Sequence, residues 1–272
     1  MTPNSIRTSS PRLIKVYSFN VKVCDLRTLL PILLAAVLAV VLTSPAAGQS
    51  FVNTVKSGSI RNVKSMLSSK KVDINERDAE GLTGLMVAVI AGDSAMSSLL
   101  LERGCNVNAQ AKSGMTALHA AVFNSRDNLL EMLIRKGAKL DLQDSRGRTA
   151  LMVGAELGLA EASRILIEAG AQMEAHDKKG NTALLISCGF RQLNVMMELL
   201  DHGADPNGRD PQGRTPLMLV SLLGEYEMVK LLIRAKADVQ ATDLQMRTAL
   251  SYAKEYKQKT VIQVLEKAGA KF

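Results

Sequence analysis

"GMTALHAAV", Gly114 to Val122, and "GRTPLMLVS", Gly213 to Ser221, share a glycine, a threonine two residues on and a leucine two after that. A glycine there supplies the positive φ of a tight turn. A threonine ahead of an apolar run is a helix N-cap, its hydroxyl accepting a backbone N–H of the first turn. Pro216, directly after Thr215, suits the first helical position. Working outward, the same register returns along the chain. Glycines fall at Gly81, Gly114, Gly147, Gly180 and Gly213, and threonines at Thr83, Thr116, Thr149, Thr182, Thr215 and Thr248. Leucines follow at Leu85, Leu118, Leu151, Leu184, Leu217 and Leu250. Six threonines spaced by 33 residues define a repeat.

The remainder of each unit reads as a pair of helices. The first runs through small residues (Ala88, Ala121, Gly154, Ser187), which let neighbouring helices approach closely, and stops near Gly92, Gly158 or Gly224. The second carries apolar triplets such as Leu99-Leu100-Leu101 and Leu231-Leu232-Ile233. A second glycine set, Gly104, Gly137, Gly170, Gly203 and Gly269, ends it in the left-handed C′ position. With "GADPNGRD", Gly203 to Asp210, these stretches resemble the ankyrin repeat over residues 51–272. The resemblance implies an all-α repeat solenoid of about seven helix-turn-helix units with hairpin loops. The units are 51–78, 79–111, 112–144, 145–177, 178–210, 211–243 and 244–272. Hairpin tips would project along one side, and each repeat would touch only its neighbours. Three departures stand out. The motif histidine survives only as His119, Lys236 replaces a C′ glycine, and Met246 replaces a turn glycine.

Composition agrees with helices. Apolar residues make up 47% of the 272, aromatics 3%, and tryptophan is absent, so the core is aliphatic. The net charge of +8 shrinks once the first 48 residues are set aside, because 29 basic and 25 acidic side chains remain. That balance is weak for a nucleic-acid binder.

"LLPILLAAVLAVVL", Leu29 to Leu42, is an uncharged aliphatic run of 14 residues preceded by basic ones. A membrane span needs about 20 such residues. A signal-peptide h-region needs about 7–15. Small residues follow in "TSPAAGQS", Thr43 to Ser50, so residues 1–48 are expected to be a signal peptide cleaved between Ala47 and Ser50. The repeat domain would then be exported, periplasmic or secreted. An uncleaved signal would instead anchor it with the repeats outside the cytoplasm, the membrane being contacted only through that segment. Resemblance to bacterial ankyrin proteins implies a Gram-negative periplasm.

No residue pattern calls for catalysis. His119, His176 and His202 each sit at a repeat position, and none pairs with a cysteine or histidine at metal-ligand spacing. Asp78, Asp144, Asp177, Asp210 and Asp243 recur with the repeat and read as turn-stabilising side chains. There is no phosphate-cradling glycine loop and no nucleophile elbow. No enzyme activity, metal, cofactor, small-molecule substrate or nucleic acid is expected. Cys105 and Cys188 lie 83 residues apart, which the repeat converts into ~20 Å or more. A disulfide needs Cα atoms within about 7 Å, so both are expected to be free and buried.

In the ankyrin fold the end of the first helix faces the concave surface. The eighth residue after each threonine is Ala91, Asn124, Leu157, Phe190, Leu223 or Tyr256, the last four large and apolar. The seventh column adds Ile90, Phe123 and Leu222. Single exposed apolar residues are ordinary, but adjacent ones form a patch. The hairpin tips beside it carry Lys112, Arg146, Arg148, Lys178, Lys179, Arg214 and Arg247. Together these residues are expected to bind another protein whose apolar segment is flanked by acidic groups. The reading is of a non-enzymatic interaction scaffold. Two alternatives use the same surface: an accessory factor that stabilises or protects a periplasmic enzyme, and a secreted effector that binds a host protein.

Overall fold

The computed structural model describes residues 50–68 and 72–271. The expected signal peptide, with its apolar run Leu29 to Leu42, lies outside the described residues. Fourteen helices are described, in seven antiparallel pairs. The first pair is α1 (Phe51–Lys56) and α2 (Ile60–Leu67). Then come α3 (Gly84–Ala91) with α4 (Ser94–Glu102), and α5 (Ala117–Phe123) with α6 (Asp127–Arg135). The series continues with α7 (Ala150–Leu157) and α8 (Ala160–Glu168), then α9 (Ala183–Gly189) and α10 (Leu193–Asp201). It closes with α11 (Pro216–Leu223) and α12 (Tyr226–Arg234), then α13 (Ala249–Glu255) and α14 (Lys259–Lys267).

From α3 onward, the first helix of each unit starts where the threonine column places it. The hydroxyls of Thr83, Thr116, Thr149, Thr182, Thr215 and Thr248 accept the N–H groups of Met86, His119, Met152, Leu185, Met218 and Ser251. Removing one such cap typically costs about 1 kcal/mol. The first helices form one layer, each packed on the first helix of the next unit, and from α6 onward the second helices form another. Between the layers runs a continuous aliphatic core that includes Leu85, Leu118, Leu151, Leu184, Leu217 and Leu250, all essentially inaccessible.

Two backbone-based ladders fix the spacing of units. Where each second helix ends, a side chain accepts the N–H of a residue 31 positions on. Asn75 receives Asn106, Asn108 receives Lys139, Asp141 receives Gln172, Glu174 receives Asp205, and Asn207 receives Asp238. At the hairpin tips the backbone bonds directly. Lys112 donates to the Glu80 carbonyl, Ser145 to Ser113, Lys178 to Arg146 and Leu244 to Gln212. At the one remaining junction Pro211 has no N–H to give, and its ring lies against Gly180 instead.

The first helices do not all end alike. The ninth residue after each threonine is left-handed in every unit, but it alternates between glycine (Gly92, Gly158, Gly224) and Ser125, Arg191 or Lys257. Glycine stands where a long side chain of the next unit reaches back. A Cβ on Gly224 would stand 2.4 Å from the Gln258 carboxamide, and one on Gly158 2.2 Å from that of Gln192. Those glutamines donate to the carbonyls of Leu222 and Glu156. Between the fifth and sixth units the clamp is ionic, Arg191 pairing with Glu225 at 3.1 Å. The left-handed geometry expected at Lys236 and Met246 is present, with φ of 62° at each.

Candidate functional site

The first-helix ends carry the candidate anchors, and the structure divides them. Phe123, Phe190 and Tyr256 are 37%, 42% and 40% exposed, each at the end of a first helix. They occur in every second unit, the same units whose inner helix ends without a left-handed glycine. Leu223 is half-buried. Ile90, Leu157 and Leu222 are half-buried and packed against the aliphatic core. These three therefore serve the fold in part, and the expected continuous stripe is a row of aromatics with aliphatic steps between them. The neighbouring unit closes over the adjacent backbone in two of these units. Gln258 reaches back over Gly224 to the Leu222 carbonyl, and Gln192 over Gly158 to that of Glu156.

The tip charges divide as well. Lys112, Arg146, Lys178 and Lys179 are exposed, and their side chains enter no ion pair among the described residues. Arg148, Arg214 and Arg247 are not free tip charges. Each guanidinium turns back onto the aspartate four residues earlier, at 2.8 Å for Asp144, 2.7 Å for Asp210 and 2.9 Å for Asp243. The aspartates are the organising groups. One Asp144 oxygen accepts the N–H groups of Arg146 and Arg148, and the other takes the Arg148 side chain. Burial works to raise the Asp144 and Asp243 carboxyls, but these hydrogen bonds outweigh it and hold both below the usual carboxylate range. Arg148 also pairs with Glu156 at the end of α7, so that acid adds no free charge to the row.

His119 is a structural joint. Its Nε2 lies 2.9 Å from the Arg148 carbonyl, which can only accept, so the proton is on Nε2. Nδ1 then accepts from the Thr116 hydroxyl at 2.9 Å, completing a reciprocal cap. Burial lowers the His119 pKa. The joint exists in one unit only, since methionine, leucine or serine stands in this column elsewhere.

Cys188 is buried as expected, whereas Cys105 is half-buried, and both thiols are free. Burial pushes Cys188 up to about 12 and Cys105 up to about 11. Neither is a nucleophile at neutral pH. No group of His, Cys, Asp or Glu among the described residues is arranged to hold a metal. No described helix is long and apolar enough to cross a membrane.

The sequence reading passed over four exposed side chains. Leu244 and Met246 stand on the last hairpin tip, 76% and 77% exposed. Met197 and Tyr226 lie on second helices, with Lys230 4.9 Å above the Tyr226 ring. Met246 could have been found from its place in the glycine column, because at the five glycines of that column a Cβ would meet the tip of the next unit, and no further tip follows Met246 among the described residues.

Comparison with known proteins agrees with this geometry. A family model described as ankyrin repeats (3 copies) matches residues 51–144, 126–210 and 203–272. Among solved structures, the ankyrin repeat domain of Bcl-3, described as a unique member of the IkappaB protein family, aligns with a TM-score of 0.67. The two are 26% identical, over 71% of this chain and 88% of that one. No curated protein matches the chain.

Proposed function

Since this chain belongs to the ankyrin-repeat family, whose repeats serve in general as protein–protein interaction modules, we propose that it is an exported, non-enzymatic scaffold for one protein partner. The partner lies along the first-helix ends and the adjoining hairpin tips. The observation that carries this reading is the row of Phe123, Phe190 and Tyr256. In a chain with 3% aromatics, three of them sit exposed at first-helix ends, Phe190 and Tyr256 at one register and Phe123 one residue earlier in its unit. Buried aromatics each contribute a large apolar area, and such residues dominate interface energies. The stack is held by two ladders, so the row is ordered before binding and little entropy is lost on association. Export is supported by the apolar run Leu29 to Leu42 and the small residues after it.

The test separates binding from folding. Phe190→Ala with Tyr256→Ala should leave the melting temperature nearly unchanged and abolish recovery of the partner crosslinked in the native organism. Leu184→Ala, at a site 1% exposed, should destabilise the protein by about 2–5 kcal/mol. Loss of stability in the aromatic double variant equal to that in Leu184→Ala, or unchanged partner recovery, would return the row to the core.

A further inference from the structure

The hairpin tips are not uniform along the stack. The tip of the second unit offers Ala79 and Glu80. The next three offer Lys112, then Arg146, then Lys178 and Lys179. The last two offer Pro211, then Leu244 and Met246. These cations enter no ion pair among the described residues, and the aspartates of the tips at Arg146 and Lys178 are already engaged. Asp144 holds the backbone and side chain of Arg148, and Asp177 accepts from the Lys179 N–H and from Asn181. The apolar end is just as marked. Leu244 and Met246 are the two most exposed large hydrophobic side chains among the described residues, the others reaching at most 43%.

This edge is continuous. The tips bond to one another through the backbone, and the single interruption, at Pro211, falls where cations give way to apolar side chains. Five tips about 10 Å apart span about 40 Å, which an extended chain crosses in about 12 residues. Met246 adds an independent observation. It holds a left-handed φ of 62° that the five preceding units give to glycine, so a strained backbone displays a side chain that packs on nothing.

We propose that this edge reads an extended segment of the partner, about a dozen residues long, in which carboxylates and aliphatic residues are segregated. The carboxylates lie over Lys112, Arg146, Lys178 and Lys179, and the aliphatic end covers Leu244 and Met246. This rests on the protein-binding reading above and specifies the partner's chemistry. A membrane surface fits less well. Insertion and headgroup contact would need apolar and basic side chains at the same points, whereas here they are separated along a line, and no tryptophan or tyrosine stands at the tips. A single-stranded nucleic acid would find no stacking platform there and nothing to use at the apolar end.

The experiment selects binders of the full chain from a displayed library of random dodecapeptides. Selected peptides should carry an acidic block and an aliphatic block at opposite ends. Arg146→Glu with Lys178→Glu should weaken a selected peptide about tenfold or more and remove most of its salt dependence. Leu244→Ser with Met246→Gly should weaken it about tenfold or more while keeping the salt dependence. The second variant removes the left-handed methionine, so its melting temperature should not fall, which excludes unfolding as the cause. Peptides without acidic residues, or affinities that neither variant changes, overturn the inference. If such peptides are lost instead in Phe190→Ala with Tyr256→Ala, the inference fails and the protein-binding reading stands. Vesicles of phosphatidylcholine with phosphatidylserine are the control. Sedimentation with them that both tip variants abolish would overturn the inference in favour of a membrane surface.

Discussion

At the scale of single residues, one change of partner decides between a free charge and an internal fastening. The pairs Asp144–Arg148, Asp210–Arg214 and Asp243–Arg247 share a spacing of four across a turn, and that spacing is visible in the sequence. Read by residue type, the three arginines belong with Lys112 and Arg146. Read by spacing, they belong to their own hairpins. His119 carries a pH dependence whose sign follows from its geometry. The folded state holds the neutral ring, with Nδ1 accepting from Thr116 and Nε2 donating to the Arg148 carbonyl, and burial lowers its pKa. The unfolded chain therefore binds the proton first as pH falls. The contribution of His119 is complete above the ordinary histidine value of about 6.5 and is lost as pH falls from there through the lowered folded value. Urea midpoints measured across that window should fall on acidification, and His119→Met, which copies the neighbouring units, should remove that part of the slope. An unchanged slope would mean that His119 is not buried neutral.

At the scale of the element, helix ends carry most of what is particular to this chain. The threonine and glycine columns make the existence and order of the helices legible from sequence, because caps and turns are local and each residue type has one physical use there. Half-burial of Leu157 and Leu222 was not legible. It depends on how each helix end packs against the aliphatic core in three dimensions, which no property of residues 157 or 222 alone foretells. Two left-handed positions predict opposite signs. Lys236→Gly relieves a φ of 62° and should stabilise the protein by about 1 kcal/mol. Gly224→Ala places a Cβ 2.4 Å from the Gln258 carboxamide at a φ of +77° and should destabilise it by more than about 1 kcal/mol. Denaturant titrations measure both. Destabilisation by Lys236→Gly would mean that the turn at 236 is not left-handed.

At the scale of the whole molecule, a stack whose units contact only neighbours leaves its faces free to differ. Buried positions are repeated almost without change, from Leu85 to Leu250, while the first-helix ends and tips vary from unit to unit. The repeat thus makes the fold legible, and it hides the site, since a column that varies carries no periodic signal. Leu244 escaped for that reason, whereas Met246 was visible as the one departure from the turn-glycine column, without its exposure. The central claim is that one protein covers the aromatic row. It is tested most directly by placing a photo-crosslinking amino acid singly at positions 190 and 256 on the row, and at positions 131 and 227 on second helices, in the native organism. The account predicts that positions 190 and 256 crosslink to the same protein and that positions 131 and 227 do not. Crosslinks from 131 and 227 with none from 190 and 256 would contradict it.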